Sequence, residues 1–300
     1  MAVRELEKPP SMAALFARAG AGALPGASRL PFVHLGGRGG GELPDLTLTL
    51  NGARVDRGRL ADYDRVCGFR VSNELPATYP HMLAFPLQLA LMTDASFPFA
   101  ALGLVHIANE ITQHRPIRLG EELDLRVWAA ALAPHPRGRQ FSLRTEVRAG
   151  GELVWEETST NLRRGGGGKE GSARGRKRAD ALAPATELPT SATWRLPGDL
   201  GRRYGAVSGD MNPIHIHPLS ARAFGFPSAI AHGMWTKARC LAALEPQLPG
   251  AFTVRVEFRK PIVLPARVAF TEEARDGAIA FGVRHPDKDV SHLDGEVRFR

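Results

Sequence analysis

The sequence predicts an α+β protein built from two copies of one unit, each an antiparallel sheet wrapped on a central helix. Three observations carry this expectation. Each half holds an apolar stretch of helical length, residues 80–93 and residues 232–244, and short runs with strand character follow it. Strands that follow one another after a single helix close into an antiparallel sheet against that helix. The halves can also be laid on one another, residues 78–87 on 225–234 and residues 107–119 on 252–264, with one small gap between the two matches.

Taken in order, residues 12–19 have the spacing of a short amphipathic helix. Leu46-Thr-Leu-Thr-Leu50 alternates with period two and reads as a strand. Asn51-Gly52 reads as a hairpin turn behind it, with residues 53–55 beginning the return strand. Residues 60–72 fit strand or helix equally. The helix at 80–93 starts or breaks near Pro86, and strands follow at 123–131, 140–147 and 153–162. Residues 163–189 have the Gly-rich, charged composition of a flexible linker. Beyond it, Gly198-Asp199-Leu200 opens a short helix holding Tyr204, a second short helix covers 218–224, and Gly225-Phe226-Pro227 ends it. The helix at 232–244 precedes strands at 252–258, 266–271, 278–283 and 296–300. The domains read as 1–162 for a first unit, 163–189 for the linker and 190–300 for a second unit.

Composition excludes several classes. At 43% hydrophobic residues the chain can bury a core, and two cysteines, Cys67 and Cys240, make no disulfide framework. No apolar run approaches the roughly 20 residues of a membrane helix, and the first ten residues are charged without an apolar core, unlike a secretory signal. A cytoplasmic protein is expected, with no membrane or nucleic-acid partner. The net charge of +8 is concentrated in residues 163–178, which contain no aromatic residue and are interrupted by four glycines. A solvated linker fits that run better than a nucleic-acid surface.

The chemistry concentrates in Tyr204-Gly-Ala-Val-Ser-Gly-Asp-Met-Asn-Pro-Ile-His-Ile-His217. Asp210 and His215 flank Asn212-Pro213, and the residue before a proline avoids helical geometry. The pair therefore flanks a turn that can aim a carboxylate and an imidazole into one cleft, a usual way to build a general base near neutral pH. Taken alone, Asp210 could equally cap its own turn, and Asp210, His215 and His217 could be read as metal ligands.

This stretch resembles the signature of the MaoC-like, (R)-specific enoyl-thioester hydratases. Tyr204, Ser208, Gly209, Asp210, Asn212, Pro213, Ile214, His215 and Ala221 match the family pattern, and Ala231-His232-Gly233-Met234 is similar to the family's entry to its central helix. The resemblance covers residues 185–300 well and residues 1–160 weakly. It implies a double hot-dog fold. It implies that Asp210 and His215 activate water for addition to a trans-2-enoyl thioester, giving an (R)-3-hydroxyacyl thioester, or for the reverse dehydration. Gly233 would donate its N–H to the thioester oxygen. Tyr204, Ser208, Asn212 and His232 are expected around the substrate, and Arg259 and Lys260, with Arg202 and Arg203, near the phosphates of coenzyme A or of a carrier protein's phosphopantetheine. No metal or separate cofactor is expected, since coenzyme A or phosphopantetheine belongs to the substrate. A homodimer of such chains is a further expectation.

The first half looks catalytically empty. Nothing in it matches Ser-Gly-Asp-x-Asn-Pro-x-His, and Phe85-Pro86 falls against His232-Gly233 in the internal match. Two other readings remain open at this stage: an acyl-thioester-binding hot-dog protein or partner subunit without turnover, and a lyase acting on a branched dicarboxylic acyl-CoA.

Overall fold

A computed structural model of the chain describes residues 2–23, 41–165 and 181–300. In chain order the elements are β1 (Ala2–Glu5), α1 (Met12–Ala23), β2 (Leu46–Ala53), α2 (Arg57–Cys67), α3 (Tyr79–Met92), β3 (Leu104–Gln113), β4 (Leu123–His135), β5 (Gly138–Ala149) and β6 (Glu152–Arg164). There follow β7 (Thr190–Leu196), α4 (Leu200–Ser208), α5 (Pro213–Ile216), α6 (Pro218–Ala223), α7 (Gly233–Leu244), β8 (Phe252–Phe258), β9 (Ala266–Arg275), β10 (Ala278–Arg284) and β11 (Ser291–Phe299). The mixture of helices and mainly antiparallel strands is the α+β class that the alternation predicts. Among the described residues no helix is long and apolar enough to cross a membrane.

The chain forms two compact units. The first takes Met1–Arg54, His81–His106 and Glu122–Gly175. Its strands run in the order β1-β2-β4-β5-β6, with β1 parallel to β2 and the rest antiparallel. Helix α3 is apolar nearly all round, and a helix of that kind has no solvent face to offer. Ala84, Leu87 and Leu91 are fully buried. Phe97, Phe99 and Phe141 close the core, with the Phe97 and Phe141 rings edge-to-face at 5.2 Å.

The second unit takes Val55–Pro80, Ile107–Glu121 and Arg176–Arg300, and its strands run β3-β8-β11-β10-β9-β7, all antiparallel. Helix α7 packs on β10 and buries most of its residues. Helix α2 begins where the Asp56 carboxylate accepts the Arg59 N–H at 2.8 Å and ends at Gly68, whose φ of 84° suits the left-handed cap. It meets α7 through the Trp235 indole, which donates to the Val66 carbonyl at 3.0 Å. Lys237 of α7 is wholly buried, and its ammonium donates to Asn109 of β3 and to the Val254 carbonyl of β8.

Four expectations are corrected. Asn51-Gly52 makes no hairpin: β2 runs through it to Ala53, and the register against β4 shifts between Leu50 and Ala53. Gly52, at φ 67°, donates its N–H to Asp124, so the left-handed residue serves a bulge rather than a turn. The linker reading holds neither at 163–164, which complete β6, nor at 181–189. Leu182, Ala185 and Leu188 are buried, and the Ala185 N–H donates to Asp294 at 2.8 Å. Averaging composition over the whole stretch hid these apolar residues; residues 166–180 lie outside the described part. The units also do not follow a single cut of the chain, since residues 55–80 and 107–121 pack with the second unit.

The first stretch of the internal match, 78–87 on 225–234, is out of register, whereas the second, 107–119 on 252–264, agrees with the pairing of 117–119 and 262–264. Residues 73–75 bridge to 117–119 ahead of α3, just as 229–231 bridge to 262–264 ahead of α7. Leu75, not Ala84, therefore corresponds to Ala231, and Pro86 lies inside α3 rather than at its start. Two nearly continuous apolar stretches slide along each other without a sequence penalty, which allowed the shift.

Candidate active site

The site is built by the short helices between β7 and α7, all in the second unit. Helix α4 ends at Gly209, whose φ of 79° turns the chain out of the helix. The Ser208 hydroxyl accepts the Asp210 N–H at 3.1 Å, and Asp210 Oδ1 accepts the Asn212 N–H at 3.1 Å. Asn212 in turn caps α5, its side chain accepting from Ile214 at 3.4 Å, with Pro213 at the first helical position. Asp210 and His215 thus flank a turn and a single helical turn, as the proline spacing predicts.

Two glycines permit the close packing. A Cβ on Gly201 would lie 1.8 Å from the His215 carbonyl oxygen, and one on Gly233 would lie 2.9 Å from the Phe258 ring. Helix α4 can hold the α5 backbone this tightly only with no side chain at Gly201. Gly201→Ala is expected to displace His215 and lower kcat by about 10²-fold, the usual cost of a misplacement near 1 Å. Gly198→Ala, whose added Cβ meets only Pro265 at 3.9 Å, is expected to leave kcat unchanged. Steady-state kinetics on the two variants check this, and equal kcat values would refute the packing argument.

The histidines are fixed by opposite ends. His215 Nδ1 donates to the Ile230 carbonyl at 2.8 Å, which makes Nε2 the unprotonated nitrogen of the neutral ring. His232, the residue before α7, donates from Nε2 to the Asp210 carbonyl at 3.0 Å, and the same nitrogen lies 3.7 Å from Asp210 Oδ2. The two imidazoles stack at 3.7 Å, and the Tyr204 ring lies 4.9 Å from His232. Nδ1 of His232 is buried with no hydrogen-bond partner among the described residues.

Burial lowers the His215 pKa below the ordinary imidazole value, while Asp210 and the Ile230 hydrogen bond oppose the shift. Burial, then His215, pushes His232 down to about 3. In an NMR titration His215 should therefore have its midpoint below about 6.5, and lower still in Asp210→Asn, which removes a charge that favours the imidazolium. A midpoint at or above the ordinary value would refute this environment. Both rings bind protons more weakly folded than unfolded, so protonation favours the unfolded chain and stability declines as pH falls below about 6.5.

One ligand atom each from Asp210, His215 and His232 lies within 4.8 Å of the others. His217, weighed as a ligand from sequence, is instead exposed, and its ring accepts the Leu219 N–H to cap α6. Gly233 is the first residue of α7, where no intrahelical carbonyl can take its N–H. Arg259 is drawn into a carboxylate network: its Nε binds Asp294 at 2.6 Å and its Nη2 binds Glu257 at 2.8 Å. Lys260 is exposed. Gly201, Phe258 and the Ile230 carbonyl escape the sequence reading; a Gly-x-x-x-Gly spacing at 201 and 205 is the signal that could have shown the first.

The first unit holds a polar cluster of its own. The Glu157 carboxylate, wholly buried, binds His81 Nδ1 at 2.7 Å and the Gln88 amide at 2.9 Å, and Gln88 also reaches Thr145. A first half without the Asp-His signature is therefore not without a buried carboxylate–imidazole pair.

Comparison with known proteins follows the same division. Residues 183–295 match the MaoC-like domain. Over 281 residues the chain is 37% identical to 3-hydroxyacyl-thioester dehydratase X of Mycobacterium tuberculosis, covering 94% of this chain and 95% of that protein. A crystal structure of HtdX from the same organism superposes with a TM-score of 0.74 at 37% identity, covering 85% of this chain and 100% of that one. A further M. tuberculosis protein, described as having a double hot-dog fold, shares 14% identity at a TM-score of 0.52 over 82% of this chain and 92% of that one, a likeness of fold.

Proposed function

Because the chain belongs to the MaoC-like dehydratase family and is a hydro-lyase acting on acyl thioesters, we propose that it catalyses the reversible hydration of trans-2-enoyl thioesters to (R)-3-hydroxyacyl thioesters through Asp210 and His215. The observation that carries this reading is the convergence of the Asp210 carboxylate with an imidazole whose Nδ1 is already committed to Ile230. In the hydration direction Asp210 and His215 hold a water between them. The water oxygen bonds to the β-carbon as one proton is withdrawn, and a proton is delivered to the α-carbon on the same face. Negative charge gathers on the thioester oxygen during the step, and the Gly233 N–H at the α7 terminus answers it.

The remaining site residues divide by what they touch. Ser208 and Asn212 hold the Asp210 turn, His232 clamps the Asp210 carbonyl and covers His215, and Tyr204 backs His232. Lys260 is left to meet a substrate phosphate, with Arg259, already neutralised by two carboxylates, supporting the strand end beside it. No separate cofactor enters this scheme.

The test is hydration of crotonyl-CoA and longer trans-2-enoyl-CoAs, followed by loss of enoyl thioester absorbance. The product is then offered to dehydrogenases specific for one or the other 3-hydroxyacyl configuration. Turnover with (R) product is expected; (S) product, or none from any chain length, would reject the reading.

A further inference from the structure

Helix α2 comes from the half of the chain that carries no signature, yet it packs within the second unit, against α4 and α7. Tyr63 is the one aromatic side chain in this helix, and it is wholly buried. Its ring lies 6.2 Å from that of Tyr204 in α4, tilted by 50°. Tyr204 lies 4.9 Å from His232, and His232 stacks on His215 at 3.7 Å. Tyr63, Tyr204, His232 and His215 thus form a continuous column of rings running from α2 to the proposed catalytic histidine. The outer end of the column is fixed. The Tyr63 hydroxyl donates to Thr78 Oγ1 at 2.7 Å, the Tyr79 ring meets it edge-to-face at 5.3 Å, and Phe69 stacks on it at 6.2 Å. Helix α2 is also tied to α7, through the Val66 carbonyl that accepts the Trp235 indole N–H.

We propose that Tyr63 is a positioning residue of the active site: acting through Tyr204, it holds the His232 ring against His215 and so sets the direction of His215 Nε2. The kinetic consequence rests on the dehydratase reading above; the ring geometry stands without it. The need for such support follows from the hydrogen bonds. His215 is held at Nδ1 by the Ile230 carbonyl, and His232 at Nε2 by the Asp210 carbonyl. One hydrogen bond fixes where a ring nitrogen sits, but not how the ring is turned about that bond. The turn is set by what packs on the ring faces, His232 for His215 and Tyr204 for His232. Tyr204 and His232 are buried in their turn, and a close-packed interior passes a change of volume on to its neighbours. Removing the Tyr63 ring opens space into which Tyr204 relaxes, and His232 loses the neighbour that sets its plane.

The test combines steady-state kinetics on a trans-2-enoyl-CoA with NMR of the histidine side chains, in the full chain and at temperatures where each variant is folded by circular dichroism. Tyr63→Leu is expected to lower kcat by about tenfold to 10²-fold with KM within about twofold, the pattern of a misplaced catalytic group. It should also move the ring resonances of both His215 and His232. Tyr63→Phe keeps the ring and should hold kcat within about threefold of wild type. A side chain that only stabilises α2 would lower the unfolding midpoint and leave the folded protein's kcat and histidine resonances where they were; that result for Tyr63→Leu would overturn the proposal. Should Tyr63→Leu not fold, the hydroxyl pair decides. Tyr63→Phe and Thr78→Val break one hydrogen bond from opposite ends, so each should shift the His232 resonances by a similar small amount, and the double variant should match the single ones. Unmoved His232 resonances in all three would overturn the proposal. Histidine resonances that move in Tyr63→Leu, in a protein that turns over no acyl thioester, would support the positioning role and count against the dehydratase reading instead.

Discussion

Asp210→Asn is expected to lower kcat by about 10²–10⁴-fold while leaving the fold intact, because positioned acid–base groups contribute that much. The substitution is nearly isosteric. The Asn212 N–H keeps an oxygen to bond, and the Asp210 carbonyl still receives His232. What goes is the charge, and with it the group proposed to withdraw or return the proton. His215→Ala should be as damaging to kcat but less clean. It strips the Ile230 carbonyl of its donor and removes the ring on which His232 stacks, so a stability loss of about 1–3 kcal/mol is expected with it. The double variant should be little worse than either single one, since residues acting as a unit are not additive. Steady-state kinetics with circular dichroism on the same samples decide the matter. A folded Asp210→Asn variant within a few-fold of wild type would remove Asp210 from the mechanism.

Glu157→Ala is expected to cost about 3–5 kcal/mol of stability, the usual result of deleting one partner of a buried pair. His81 and the Gln88 amide would both be left pointing at a cavity, with Thr145 too small to satisfy them. Glu157→Gln, which keeps the shape and one acceptor, should cost less. Urea unfolding of the three proteins measures the differences. A loss under about 1 kcal/mol for Glu157→Ala would mean that water or a rearranged neighbour replaces the carboxylate at little cost.

The parts of the molecule legible in its sequence are those governed by local rules. The Asn212-Pro213 turn and the strands with period-two alternation follow from neighbours in the chain. The Asp210–His215 pair was readable because its members stand only five positions apart in the chain. Contacts between distant residues were not. His81 and Glu157 stand 76 residues apart, and no spacing rule connects them. Gly201 shows its purpose only when the His215 carbonyl is seen against it. The strand β7 was missed because its Thr-Ser-Ala-Thr-Trp run is short and mostly polar, and its place at the edge of the β9 ladder gives it strand form. The misaligned repeat has a different origin, since two apolar helices resemble each other at several offsets.

The division of the chain into interleaved units bears on how the protein is made. The Val66 carbonyl leaves the ribosome 169 residues before the Trp235 indole that binds it, and Asn109 precedes the buried Lys237 by 128 residues. Helix α2 must therefore wait for α7 through the synthesis of most of the chain, β3 must wait for β8, and the second unit cannot close until its last strand emerges. Contacts of such sequence separation slow folding and leave strand edges open meanwhile. Within the second unit the stretch that waits longest for its partner is α2, displayed early and covered late by α7. Pausing of translation between α2 and α7 would lengthen that exposure, and a chaperone that shields apolar helix faces would be needed most there.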